Sequence, residues 1–113
     1  MPFVNVKANF KLSNEEILGL KSFLGEAIRV IPGKSESWLM CNIEDEQNLF
    51  FKGESEKAIY AEVKIYGAAN DSAFSNFTNK LTSYCCNALN VASSRIYVSY
   101  FPTSYWGWNG SNF

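Results

Sequence analysis

The chain contains no histidine. That removes the side chain titrating nearest neutral pH and the commonest metal ligand, so His-based catalysis and His-rich metal centres are excluded. Its three cysteines, Cys41, Cys85 and Cys86, form no spaced framework. A ring closed by adjacent cysteines is strained, so a disulfide scaffold is excluded and a reducing compartment is expected. Neither sign of charge dominates, since ten Lys plus Arg against eleven Asp plus Glu leave a net charge of −1. Nucleic-acid binders normally carry a basic excess, and that class is disfavoured. No apolar run approaches the roughly 18–20 residues of a membrane span. The opening Met-Pro-Phe-Val-Asn-Val-Lys lacks the basic start and apolar core of a signal peptide, so the expectation is cytoplasmic, with any secretion independent of the usual signal. There is no metal-spaced cluster, nucleotide loop or Ser/His/Asp set, and Glu44-Asp45-Glu46 lacks calcium-loop spacing.

What remains is a core. At 113 residues, 47% hydrophobic and 16% aromatic, the chain suits one domain over 1–113 without a disulfide or metal staple. No linker or low-complexity tract divides it. Phe3 to Phe10 alternates apolar and polar residues, a strand signature. Ser13-Asn14-Glu15-Glu16 then reads as a capping box, followed by Ile17, Leu20, Leu24, Ala27, Ile28 and Ile31 at helical spacing. That predicts a helix of about five turns ended by Pro32-Gly33. Strands are predicted from Ser37 to Ile43, at Leu49-Phe50-Phe51, from Ala58 to Ile65 and from Arg95 to Phe101, the last stopped by Pro102. Asn70-Asp71-Ser72 caps a second helix with Ala73, Phe77, Leu81, Tyr84, Cys85 and Ala88 on one face. Tyr105 to Phe113 reads as an aromatic, Gly-punctuated tail.

Each half runs strand, capped helix, short connection, strand. The expected fold is α+β: a tandem β-α-β, ferredoxin-like layout with two helices on one face of a four-stranded sheet. Apolar residues on both sides of the strands (Phe3 against Val4, Leu39 against Met40, Ile96 against Tyr97) predict a second apolar face and oligomerisation through it.

Few residues invite a chemical role. Pro2 either starts a strand, where a missing N–H costs nothing, or becomes a terminal secondary amine once Met1 is trimmed. Burial beside another cation would lower the pKa of such an amine and make it a base for a proton alpha to a carbonyl. Lys34 is either a solvated cation at a helix end or a carboxylate-binding group that depresses a neighbouring amine. Tyr97 and Ser99 share one face of a strand, for packing or for ligand contact. The Trp106-Gly107-Trp108 tail lines an aromatic slot or cements a subunit contact. Cys85 and Cys86 read as inert helix packing.

Met1-Pro2-Phe3, Gly33-Lys34, Phe51-Lys52-Gly53, Ile65 with Gly67, Arg95-Ile96-Tyr97-Val98 and Trp106-Gly107-Trp108-Asn109-Gly110-Ser111-Asn112-Phe113 together resemble the macrophage migration inhibitory factor and D-dopachrome tautomerase family. A protozoan-type member is among the readings this allows. The resemblance spans the whole chain, and its motifs are weak singly but specific jointly. It implies a tautomerase fold assembling as a homotrimer of β-α-β-β-α-β subunits around a barrel-like core. It implies Pro2 as general base and Lys34, Ile65, Tyr97 (from a neighbouring subunit), Trp108 and Phe113 as substrate-binding residues. The implied reaction is cofactor-independent keto-enol isomerisation of phenylpyruvate-like or dopachrome-like aromatic substrates. Cytokine-like binding to cell-surface receptors is implied as well.

Three departures stand out. Ser99 replaces the family's asparagine and is a shorter substrate-binding donor. Lys52-Gly53-Glu54 and Lys64-Ile65-Tyr66 replace Gly-Gly-Ser and Ser-Ile-Gly, which bears on substrate preference. Glu54-Ser55-Glu56-Lys57 stands near the family's Cys-x-x-Cys, so thiol-disulfide exchange is not expected. Two alternatives differ in class: a non-enzymatic cytokine-like ligand on the same fold, and a nucleic-acid-binding ferredoxin-like domain, which the neutral charge disfavours.

Overall fold

The computed structural model describes residues Met1–Phe113. Strand β1 (Pro2–Ala8) alternates as its sequence requires, with Val4, Val6 and Ala8 fully buried and Phe3, Asn5 and Lys7 turned the other way. Helix α1 (Asn14–Ala27) opens on the capping box: the Ser13 hydroxyl accepts from the Glu16 N–H (3.1 Å), and the Ser13 N–H donates to the Glu16 carboxylate (2.9 Å). The α-helix ends earlier than its apolar spacing predicts and tightens into a 3-10 turn over Ile28–Val30. Val30 and Ile31 are β-branched, and Ile31 precedes Pro32, which drives it to extended backbone (φ −89°, ψ 115°). Ile28 and Ile31 still reach the core.

Strand β2 (Met40–Glu44) starts three residues later than expected, because Glu36–Trp38 closes a 3-10 turn through Trp38 N–H to Ser35 O (3.2 Å) and Leu39 N–H to Glu36 O (3.1 Å). The Glu36 side chain lies where a Cβ on Gly25 of α1 would sit, so the glycine leaves room for it against the helix. Leu49-Phe50-Phe51 is not the predicted strand. Only an isolated bridge joins Phe51 to Glu54, across a two-residue turn with Lys52 (φ 55°) and Gly53 (φ 74°) both left-handed. That turn folds the chain back after Phe51, and the segment joins no strand of the sheet. Strand β3 (Ile59–Tyr66), helix α2 (Asp71–Leu89) and strand β4 (Ile96–Thr103) complete the two halves. Asn70 caps α2 by accepting from the Ala73 N–H (2.8 Å), and Asn90 ends it in the left-handed conformation (φ 58°). Pro102 does not stop β4, which is an edge strand where a missing N–H is tolerated. The tail folds into a small hairpin, β5 (Gly107–Trp108) and β6 (Ser111–Asn112), around Asn109-Gly110.

The main sheet has order β2-β1-β3-β4, with β1 parallel to β2, antiparallel to β3, and β3 parallel to β4. Both helices cover one face. Leu20, Leu24, Phe77, Leu81 and Cys85 meet Val4, Val6, Ala61, Val63 and Ile65 in the buried cluster between the layers. Burial pushes the Cys85 thiol pKa up to about 12, which makes it a packing group. The three cysteines are free.

The open face departs from the expected second apolar surface. Its centre is polar: Asn5 donates to the Glu62 carboxylate (3.3 Å), Asn42 to Asn5 (3.0 Å) and to Glu44 (2.6 Å), with Lys7 and the exposed Lys64 nearby on the same strands. Leu39, read as a strand residue, precedes β2 and packs against the core. Exposed apolar bulk gathers instead on the edge strands and the 49–51 loop, at Met40 (69% exposed), Phe50 (68%), Tyr97 (61%) and Phe101 (45%).

Two side chains hold that loop. Asn9 accepts from the Ala58 N–H (2.7 Å) and donates to Leu49 O (3.0 Å) and Glu56 O (2.8 Å). The Arg95 guanidinium donates to the carbonyls of Lys57, Phe51, Glu54 and Glu56 at 3.0–3.4 Å and lies over the Phe51 ring. Arg95→Ala is therefore expected to lower stability by roughly 1–2 kcal/mol and to open 49–57 to proteolysis, read by thermal unfolding and limited digestion. Unchanged cleavage in that segment would contradict the clamp.

Candidate active site

Because β1 is an inner strand, the first residues of the chain lie between β2 and β3 rather than at a frayed edge. Pro2 is fully buried and is the register partner of Ile65. The Tyr66 N–H donates to Met1 O (3.0 Å), which fixes the backbone before Pro2. Lys34 approaches the same point from the helix layer. Gly33 (φ 79°) turns the chain after Pro32, the Lys34 N–H donates to Ile31 O (3.1 Å), and the Lys34 ammonium donates to Tyr66 O (2.8 Å). One carbonyl thereby carries Lys34 to the end of β3 that faces the start of β1.

The electrostatic consequence is visible at the Met1 amine. Its pKa lies below the ordinary α-amino value, first because burial disfavours the charged form and second because the Lys34 charge and hydrogen bond repel a second cation. A terminal amine held neutral near pH 7 is a competent base. With Met1 in place the Pro2 nitrogen is an amide and cannot serve. Removing Met1 would make it the terminal amine, on the inner strand and beside Lys34.

A cleft of about 340 Å³ opens here, lined by Pro2, Phe3, Trp38, Met40, Trp106 and Trp108 among others. Trp38 meets Trp108 edge-on (centroids 5.2 Å, 86°), and Phe113 packs on Tyr66 (5.1 Å) while its N–H donates to Trp106 O (3.0 Å). Pro2, Lys34, Ile65, Trp108 and Phe113 therefore gather at one end of the sheet. Trp38 is a cleft residue that sequence reading passed over. It was placed inside a strand, and its half-exposed ring at the tip of a 3-10 turn has no sequence signature. No group of three or more His, Cys, Asp or Glu side chains is placed to hold a metal ion.

Tyr97 and Ser99 lie elsewhere. Their register partners on β3 are Tyr60 and Glu62, five and three residues before Ile65. At about 3.3 Å per residue that is roughly 17 Å and 10 Å along the strand, too far for Tyr97 to share a small substrate with Pro2 of its own chain. Tyr97 instead meets the Phe51 ring edge-on (5.1 Å) in a second, mainly apolar cleft of about 380 Å³ with Phe50, Ile59, Tyr60 and Arg95.

No curated protein sequence matches the chain. Solved structures do. Leishmania major MIF2 superposes with a TM-score of 0.91 at 28% identity, covering 100% of this chain and 97% of that one. The macrophage migration inhibitory factor homologue from Prochlorococcus marinus gives 0.80 at 28% identity, covering 98% of each. The macrophage migration inhibitory factor-like protein from Entamoeba histolytica, 15% identical over 99% of this chain and 98% of that one, shares the fold with a TM-score of 0.82. The family profile described as macrophage migration inhibitory factor (MIF) matches residues 1–113. The inner N-terminal strand and the paired β-α-β halves are those of a tautomerase fold, and the chain belongs to the macrophage migration inhibitory factor family.

Proposed function

We propose that the protein, once Met1 is removed, is a keto-enol tautomerase of small aromatic substrates, phenylpyruvate-like α-keto acids or dopachrome-like compounds. The observation that carries this reading is the buried start of β1 beside Lys34, where a terminal amine is already depressed by burial and by that cation. Neutral Pro2 takes the proton alpha to the carbonyl and returns it to the other position, so no electron changes hands and no cofactor is needed. An ammonium has three donors, and the bond to Tyr66 O occupies one, leaving two on Lys34 for a substrate carboxylate. Loss of Met1 also frees the Tyr66 N–H, whose acceptor is Met1 O, to meet the same carboxylate or the developing enolate. Ile65 offers its backbone beside Pro2, and Trp108, Phe113 and Trp38 form the aromatic wall.

Tyr97 and Ser99 enter the site from a neighbouring copy in a homotrimer. Two features support this: their distance from Pro2 within one chain, and the exposed apolar bulk on both free edges of the sheet. Cytokine-like binding to cell-surface receptors is a second role that family membership supports, and it needs no free amine.

Two outcomes are expected. Phenylpyruvate tautomerase activity should appear in the processed protein and fall at least a hundredfold in a sample that keeps Met1 and in Pro2→Gly, an effect of the size general-base loss produces. Equal activity in all three would exclude the amine as base. In the second experiment, Pro2→Gly and Tyr97→Ala subunits, each inactive alone, are co-refolded at equal amounts. If the site is shared around a ring, random trimers should recover about a quarter of the wild-type activity. No recovery with mixed trimers present would contradict a Tyr97 supplied by the neighbouring subunit.

A further inference from the structure

The β1–β3 ladder ends on an unequal rung. In a hydrogen-bonded antiparallel pair the two residues exchange both backbone bonds. Continuing the register from Pro2 and Ile65 sets Met1 opposite Tyr66, and the Tyr66 N–H donates to Met1 O (3.0 Å). The return acceptor, Tyr66 O, bonds the Lys34 ammonium instead (2.8 Å). A side-chain cation thus stands where a backbone nitrogen closes such a rung. No carboxylate neutralises it, since the one ion pair in the chain joins Arg29 to Glu26.

Removal of Met1 changes this rung in a defined way. It takes away the carbonyl that the Tyr66 N–H bonds, leaves Lys34 on Tyr66 O, and opens the Pro2 nitrogen to the cleft that both residues line. The rung then holds a free N–H, an ammonium with two unused hydrogens, and no anion. The Met1 carbonyl shows what fits there: a trigonal carbon on the Pro2 nitrogen whose oxygen accepts from the Tyr66 N–H. A carbamate has that shape. Its carbon takes the place of the Met1 carbonyl carbon, one oxygen that of Met1 O, and the second oxygen that of Met1 Cα. The second oxygen carries negative charge to the side where Lys34 meets the Met1 amine. Carbon dioxide forms this group by simple addition, with no leaving group and no activated donor.

We propose that the Pro2 nitrogen of the processed protein is a carbon dioxide site: it takes up CO2 as a carbamate, held by the Tyr66 N–H and Lys34, which caps the base until CO2 leaves. This rests on the reading in which Pro2 is the terminal base. The nitrogen lone pair forms the N–C bond, one C=O π pair moves onto oxygen, and the N–H proton passes to water. Only a neutral amine reacts, and burial together with Lys34 favours that form at this end of the sheet. The cation that disfavours an ammonium favours the carbamate, because the charge on the terminal group changes sign. The carbamate occupies the donors that a keto-acid carboxylate needs, so CO2 and substrate exclude each other.

The test reads the bond itself. Processed protein labelled with ¹⁵N-proline is equilibrated with ¹³C-labelled bicarbonate and CO2 at fixed pH and ionic strength, and followed by ¹³C NMR. Pro32 and Pro102 are peptide-bonded, so a carbamate carbon split by ¹⁵N belongs to Pro2, and lysine carbamates are not split. Wild type should show the split resonance, and a sample that keeps Met1 should lack it. Lys34→Gln, which can still donate to Tyr66 O, should lower the carbamate about tenfold, the effect of a charged hydrogen bond, while Lys34→Arg keeps most of it. If Lys34→Gln fails to assemble, Lys34→Met decides. Phenylpyruvate turnover should fall as CO2 rises at constant pH and return on degassing. No split resonance in assembled wild type, or one unmoved by loss of the Lys34 charge, overturns the proposal. Turnover that ignores CO2, with no resonance, removes the carbamate and leaves the tautomerase reading. The resonance with no turnover even in CO2-free buffer does the reverse. Undiminished turnover at full carbamate occupancy overturns both the capping and Pro2 as the base.

Discussion

A chain terminus normally lies at the surface, free and hydrated. Here the pairing of β1 with β2 on one side and β3 on the other draws the terminus into the end of the sheet, and the rest of the site depends on that constraint. The same pairing partly buries the Met1 amine and lowers its pKa. Lys34, brought over by the Tyr66 carbonyl, adds a like charge to a group already losing water. Both effects favour the neutral form of a terminal amine at this end of the sheet.

The second constraint lies at the edges of the sheet. The sheet ends in two free edge strands, and its exposed apolar side chains sit on those edges, flanking the polar centre of the open face, and on the 49–51 loop. An open face carrying Asn5, Asn42, Glu44 and Glu62 in hydrogen-bonded contact suits a hydrated interior better than a dry interface. Edge-to-edge association around a ring would cover the apolar bulk and leave that polar face inward. Arg95 and Asn9 hold the loop in the conformation that presents Phe50.

Much of this was legible in the residues. The capping box at Ser13, the Asn70 cap, the alternation of β1 and β3 and the helical spacing of Leu20, Leu24, Phe77 and Leu81 are local signals, and the structure reproduces them. Misreadings arose where local propensity met tertiary geometry. Leu49-Phe50-Phe51 has strand composition but no partner strand in its own chain, and Pro102 is harmless because β4 is an edge. The Asn109-Gly110 pair was a hairpin signal masked by the aromatic composition around it. The apolar open face was expected from neighbours such as Leu39-Met40, which fall outside or at the end of β2. Family resemblance brought Pro2 and Lys34 together on the page; proximity to the Tyr66 carbonyl needs the fold. The Tyr60–Ser99 hydroxyl pair, 2.6 Å apart across parallel strands, had no signal at all, since it depends on a register that no single strand encodes.

The account stands most directly on the protonation of one nitrogen. Processed protein labelled with ¹⁵N-proline, titrated by NMR as wild type and as Lys34→Met, reads it without reference to any substrate. The Pro2 amine should titrate well below the ordinary α-amino value of about 8, and Lys34→Met should raise it partway, since burial remains when the charge is removed. A Pro2 amine that titrates at or above the ordinary value, unmoved by loss of Lys34, would contradict the account at its root.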